Sequence, residues 1–176
     1  MTTHIALLRG INVGGNNKLP MKDLSVILGG LGYENIKTYI QSGNVVFDTA
    51  RKLAANEAEK ISAAIQCKMG FEPQVLLMAA EQFKRAISHN PYPVDSGKAL
   101  HFYFLNRPAA SPNIDGLEAL KLESEKFTLT DTVFYLYAPD GIGRSKLAAS
   151  VEKLLGVAAT ARNWNTVEKL AGMTNH

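Results

Sequence analysis

The residues best suited to chemistry in this sequence are cations and amides set beside glycines, and they fall in four short segments. The first is Arg9-Gly10-Ile11-Asn12-Val13-Gly14-Gly15-Asn16-Asn17-Lys18. It combines Arg9, Asn12, Asn16 and Lys18 with glycines that let backbone N–H groups come close to a ligand. A helix start behind it adds partial positive charge. With Lys22 also present and no acid before Asp23, the local field favours an anion. The second segment is Gln41-Ser42-Gly43-Asn44, in which turn chemistry accounts for Ser42 and Asn44 and Gln41 is the less expected residue. The third, Pro139-Asp140-Gly141-Ile142-Gly143-Arg144-Ser145-Lys146, sets Arg144, Ser145 and Lys146 at a helix start, where Ser145 also suits an N-cap. The fourth, Thr160-Ala161-Arg162-Asn163-Trp164-Asn165-Thr166, offers a cation beside an aromatic face, a pairing that suits a base or sugar ring. The same residues suit a helix cap, through Asn163 or Asn165, with Trp164 in the buried stripe. For every segment the anion-binding reading therefore stands beside a plainer one of turns and caps.

Several chemistries are excluded by spacing. Gly10, Gly14 and Gly15 do not have the separation of a dinucleotide fingerprint, and neither glycine loop is a phosphate-binding P-loop. His4, His89, His101 and the terminal His176 show no metal-ligand spacing, and one cysteine alone could join them. No metal or cofactor is expected. His101 alternates with Tyr103 on one face of a strand, as a satisfied sheet residue does. There is no nucleophile elbow and no zinc-protease helix motif. Carboxylates are scattered, and within the four segments only Asp140 occurs, which argues against paired-carboxylate acid–base chemistry.

The elements that must position these segments follow from hydrophobic spacing. Ile5-Ala6-Leu7-Leu8 is apolar at every position, which calls for cover on both faces of a strand. A helix begins at Pro20, with Met21, Leu24, Ile27, Leu28 and Leu31 at helical spacing and Gly32 as its left-handed stop. Strands over 36–40 and 45–47 join through Gln41–Asn44 as a hairpin. A helix over 52–69 ends at Gly70, and a strand over 74–78 closes a β-α-β-β-α-β unit. After a helix over 81–87, the same order recurs: strand 100–105, helix 114–122, strands 127–129 and 133–137, helix 146–155, strand 157–161. A last helix covers 164–171. The expected fold is α+β, with two ferredoxin-like halves packed together on mostly antiparallel sheets. Residues 1–80 form the first half, 81–97 a connecting helix and loop, and 98–176 the second half with its C-terminal helix. The two halves share element order and no residue-level repeat.

Size and composition agree with this. A chain of 176 residues buries roughly 70% of its unfolded surface and needs neither disulfide nor structural metal. The net charge of +3 is too small to mark a nucleic-acid binder by itself. Cys67, the single cysteine, sits beside apolar residues in a helix and is expected to be a buried thiol in a reducing compartment. The N-terminus lacks a signal-peptide pattern, and no apolar run approaches the ~20 residues of a membrane helix. A cytoplasmic protein is expected, with no membrane partner.

Three ordered stretches carry a resemblance to a known family. These are Leu8–Asn16, Tyr39-Ile40-Gln41-Ser42-Gly43-Asn44-Val45-Val46-Phe47 and Thr160–Val167, with Gly143-Arg144-Ser145-Lys146-Leu147 between the last two. They resemble the signature stretches of the bacterial family called domain of unknown function 1697. Ala161 stands where that pattern has threonine, so no hydroxyl is offered there. The resemblance implies an α+β fold of two subdomains and no established activity, cofactor or catalytic residue. Three functions follow from the residues. The first is a binding module for a phosphorylated ligand, nucleotide or nucleic acid, centred on Arg9, Asn12, Gln41, Arg144 and Arg162 and needing the four segments to converge. In this version Tyr103, Tyr135 and Tyr137 would serve RNA on the second sheet. The second is an enzyme acting on a small phosphorylated or nucleotide substrate, for which Ser42 and Ser145 show no activating partner. The third is a structural or protein-interaction domain in which the motifs are caps and turns.

Overall fold

The computed structural model describes residues 1–175, and His176 lies outside the described residues. The element order is β1 (Thr2–Arg9), α1 (Met21–Gly30), β2 (Glu34–Tyr39), β3 (Asn44–Thr49), α2 (Glu57–Met69), β4 (Gln74–Ala79) and α3 (Ala80–Ser88). It continues with β5 (Leu100–Leu105), α4 (Ile114–Leu120), β6 (Lys126–Leu129), β7 (Val133–Tyr137), α5 (Lys146–Leu155), β8 (Ala159–Asn163) and α6 (Trp164–Met173). There are two four-stranded sheets, ordered β2-β3-β1-β4 and β6-β7-β5-β8, with every pairing antiparallel. Both orders are those of the ferredoxin-like β-α-β-β-α-β unit, in which the first and third strands lie side by side at the centre. The chain divides into two compact units: Met1–Arg85 together with the chain from Lys169 onward, and Ala86–Glu168. The divisions fall inside α3 and inside α6.

In the first unit, Ile5, Ala6, Leu7 and Leu8 of β1 are all fully buried, so this central strand is covered on both faces as its unbroken apolar run requires. Ala6, Leu8, Val45 and Phe47 share one core with Leu24, Ile27 and Leu28 of α1 and Ile61 and Ile65 of α2. In the second, Tyr103, Leu105, Phe134 and Leu136 pack with Leu117 of α4 and Leu147, Val151 and Leu155 of α5. The α1 stripe that the sequence spacing picks out is therefore its core face, with Met21 and Leu31 packed at its edge.

The boundaries differ from the sequence expectations in instructive ways. Pro20 is the residue before α1, at φ −59° and ψ 139°, and not its first helical residue, because its extended ψ lets the chain enter from the preceding loop. The α2 helix starts five residues later than its spacing suggests. Glu57 causes this: its Oε2 accepts from the Ala54 N–H at 3.1 Å while its own N–H donates to the Ala54 carbonyl, closing residues 54–57 as a turn. Strand β8 lies two residues further on than expected, running opposite β5 from Ala159↔Leu105 to Asn163↔His101. The Ala159 N–H donates to Glu152 Oε1 and so starts the strand there. Cys67 is exposed on α2, not buried, because the inward stripe falls on Ile61 and Ile65.

Glu57 is also a firmly held charge of the first unit. It is 1% exposed, receives Tyr33 Oη–H at 2.6 Å and is bridged by both Arg51 nitrogens, at 3.1 and 2.5 Å. Arg51 lies over the Tyr33 ring, which stacks on Phe47 at 4.2 Å. The Arg51 guanidinium holds the carboxyl down at about 2, below its ordinary 4.5, against the opposing effect of burial. A depressed folded pKa stabilises the fold above the unfolded value, and that stability is lost as pH falls from about 4.5 through 2. Glu57→Gln should therefore destabilise the protein at pH 7 by about 2–3 kcal/mol. Urea unfolding should show the wild-type advantage shrinking as the pH is lowered from 5 towards 2; an advantage independent of pH would contradict the ion-pair account.

Candidate functional site

The first unit brings the first two segments together. β1 ends at Arg9 opposite Gln74, and β3 enters at Asn44 opposite Leu7, so the loop after β1 and the turn before β3 leave the sheet at one end. The loop is a miniature hairpin. Val13 and Asn16 form a bridge, Asn12 N–H donates to the Asn17 carbonyl, and Gly14 and Gly15 sit at its tip with φ 58° and 76°. Two consecutive positive φ values are what a tight two-residue turn demands, and glycine supplies them without strain.

Asn12 ties this hairpin down. Its Nδ2 donates to the Leu19 carbonyl at 2.9 Å and to the Gln41 carbonyl at 2.7 Å, while its Oδ1 accepts from the Leu19 N–H at 2.8 Å. Asn17 closes the neck, donating from Nδ2 to the Gly10 carbonyl. After the Ile40–Gly43 turn, Asn44 at the start of β3 is fully buried and donates back to the Tyr39 carbonyl and to Ser42 Oγ. Leu8 N–H reaches the Gly43 carbonyl at 2.8 Å. The amide side chains of Asn12 and Asn44 thus hold backbone in place. Arg9, Asn16, Lys18 and Gln41 are exposed, as is Lys22 in the first turn of α1.

The second unit gathers the other two segments at an end of its own sheet. β7 leaves at Tyr137 opposite Leu100, and β8 leaves at Asn163 opposite His101. Ser145 is buried and caps α5, its Oγ accepting from the Ala148 N–H at 3.0 Å, while Arg144 and Lys146 on either side are exposed. Arg162 and Asn163 belong to β8 rather than to the start of the last helix. Arg162 donates to the Ala161 carbonyl at 2.8 Å, and burial pushes its guanidinium down to about 10. Asn163 Oδ1 accepts from the Thr166 N–H and so caps α6. Trp164 is half-buried with its ring 5.9 Å from Phe102. The Asn165 amide lies so close over Gly97 that a Cβ there would come within 1.7 Å of its oxygen, an approach that needs glycine.

Compared as sheets, β5, β7 and β8 are the counterparts of β1, β3 and β4. The polar end of the first sheet is where β1 finishes, whereas that of the second is where β5 begins. The two groups are thus not copies of one site. The aromatic residues that an RNA-binding sheet would present are otherwise engaged. Tyr103 and Tyr135 are buried, which pushes both hydroxyls up to about 12, and Tyr135 donates to the Ala86 carbonyl at 2.5 Å. Tyr137 stacks with Tyr92 at 5.9 Å. His101 is buried with Nε2 3.0 Å from the Lys98 carbonyl, the satisfied sheet histidine its alternation suggests. Among the described residues no three of His, Cys, Asp and Glu are grouped to hold a metal ion. No helix of the described residues is long and apolar enough to cross a membrane.

Gly43 had no special signal beyond its place in the motif, yet it is the tightest point of the first site. At φ 85° a Cβ would lie 2.6 Å from Leu8 Cβ and 2.8 Å from Ile11 Cδ1. Gly43→Ala should destabilise the fold by about 2–4 kcal/mol, adding left-handed strain to overpacking. Gly14→Ala, with the same sign of φ and open space around it, should cost only about 1–2 kcal/mol. Equal losses in chemical denaturation would show that the Gly43 approach is not a tight one.

A family model described as protein of unknown function (DUF1697) matches residues 1–135. No curated protein matches the chain. Among solved structures, a conserved bacterial protein from Streptococcus pneumoniae is similar in fold, with a TM-score of 0.73 and 24% identity across 99% of both chains. The first two signature stretches and most of the fold lie inside the family match, and the chain belongs to the DUF1697 family.

Proposed function

We propose that the protein is a binding module for a small phosphorylated ligand, and that the end of the first sheet formed by residues 9–22 and 40–43 receives it. The observation that carries this reading is a division of labour. The amides Asn12, Asn17 and Asn44 are turned to backbone carbonyls and fix the loop, while Arg9, Lys18 and Lys22 are exposed around it. No carboxylate occurs from residue 9 to residue 22. A pinned loop loses little entropy on binding, and a basic segment with no carboxylate in its own sequence favours an anion. Glycines at the hairpin tip let a phosphate come close to the main chain.

Arg144, Lys146 and Arg162 give the second unit a basic end as well, with Ser145 and Asn163 committed to capping. A small ligand is preferred to RNA because Tyr103 and Tyr135 are buried and offer no face for base stacking. Binding is preferred to catalysis because the Ser42 and Ser145 oxygens already accept bonds from Asn44 and from the Ala148 N–H.

Thermal unfolding with pyrophosphate, sugar phosphates and nucleotides, at ionic strength matched with chloride, tests the reading. At a hundredfold excess over the dissociation constant a true ligand stabilises by about 2.7 kcal/mol, a rise in Tm of roughly 5–10 °C for a chain this long. Lys18→Ala with Lys22→Ala should reduce that rise while leaving the ligand-free Tm within about 2 °C, since both side chains are exposed. If no phosphorylated compound raised Tm above the chloride control, the segments would be left as caps and turns.

A further inference from the structure

Four residues other than glycine have a left-handed backbone among the described residues: Asn12, Asn17, Asn35 and Ile40. Three are asparagine, whose short polar side chain tolerates that region. Ile40, at φ 47°, is not. A branched Cβ there is strained, and the strain is not relieved by burial, because Ile40 is 50% exposed. It sits next to Gln41, whose carbonyl accepts from Asn12, and Val13, next to Asn12, is 66% exposed. One 2.7 Å hydrogen bond therefore links two chain segments that each carry an aliphatic side chain to the solvent, at the sheet end that also bears Arg9, Lys18 and Lys22.

The geometry points to a nucleoside phosphate as the ligand of this end, with the base covering Val13 and Ile40 and the phosphates on the cations. This rests on the anion-site reading above and adds the apolar half of the ligand. Charge complementarity selects an anionic ligand, and the two aliphatic side chains select one with a flat apolar part. A sugar phosphate is polar throughout and gains nothing by covering them. The sequence places asparagine at the other strained positions and an aliphatic residue at Ile40 alone, which fits a side chain used in contact.

The test compares ADP, pyrophosphate and ribose 5-phosphate by calorimetry, with vesicles of phosphatidylcholine and phosphatidylserine as a separate arm. Wild type should bind ADP about tenfold more tightly than pyrophosphate. Ile40→Gly should erase that advantage and leave pyrophosphate binding intact, with a Tm equal to or above that of wild type, because glycine relieves the left-handed strain. Val13→Ser, at an exposed position, should weaken ADP in the same direction. Equal binding of ADP and pyrophosphate would overturn the nucleoside proposal and leave the anion site standing. Binding of neither would overturn both. Vesicle binding that Ile40→Gly removes, without any ADP binding, would overturn it in favour of a lipid surface.

Discussion

Much of the first unit hangs on one amide side chain. Asn12 stands at a left-handed φ of 53°, donates to two carbonyls from different parts of the chain and accepts from a third partner, Leu19 N–H. That satisfies backbone groups at the entry to α1 and in the turn before β3 with a single side chain. Each of those groups would otherwise depend on solvent, since none belongs to a helix or a sheet ladder. Ile11 and Leu19, fully within the core on either side of the hairpin, are held where they are by the same contact. The asparagine is therefore the joint between core packing and the exposed basic surface.

From that joint follows the distinction between residues that build the polar ends and residues that face outward. Asn44, Ser145 and Asn163 all turn their polar atoms to main-chain groups, and Asn165 is packed against Gly97. Arg144 and Lys146 flank a capping serine in the way Arg9 and Lys18 flank a locked hairpin. The arrangement recurs in both units although the polar ends are at topologically opposite ends of equivalent sheets.

The fold was legible because burial is periodic. Leu147, Val151 and Leu155 announce α5, and the apolar run Ile5–Leu8 announces a central strand. Where boundaries differ from hydrophobic spacing, a side chain captures the backbone: Glu57 accepts from the Ala54 N–H at the start of α2 and Glu152 from the Ala159 N–H at the start of β8, contacts that the apolar pattern does not encode. The four polar segments could be picked out by composition, and the sequence could not say which of their residues face inward. Asn12 and Asn16 are the same residue type four positions apart, one locking the loop and the other exposed. That choice is made by partners such as Gln41, 29 residues away, and by the left-handed turn at Gly43. The strain at Ile40 is likewise invisible in sequence, because a β-branched residue after Tyr39 reads as the last residue of the strand, whereas β2 ends at Tyr39.

The division of the chain inside α6 has a consequence for how the protein is made. The compact unit that begins at Met1 is finished by residues from Lys169 onward, where Leu170 and Thr174 are buried. A ribosome delivers β1 through β4 well before it delivers that segment, so the first ferredoxin-like unit emerges incomplete, while everything from Ala86 to Glu168 is synthesised in one stretch. Vectorial synthesis would then favour the second unit closing as soon as it is whole. The first is completed only once the chain from Lys169 onward has been made.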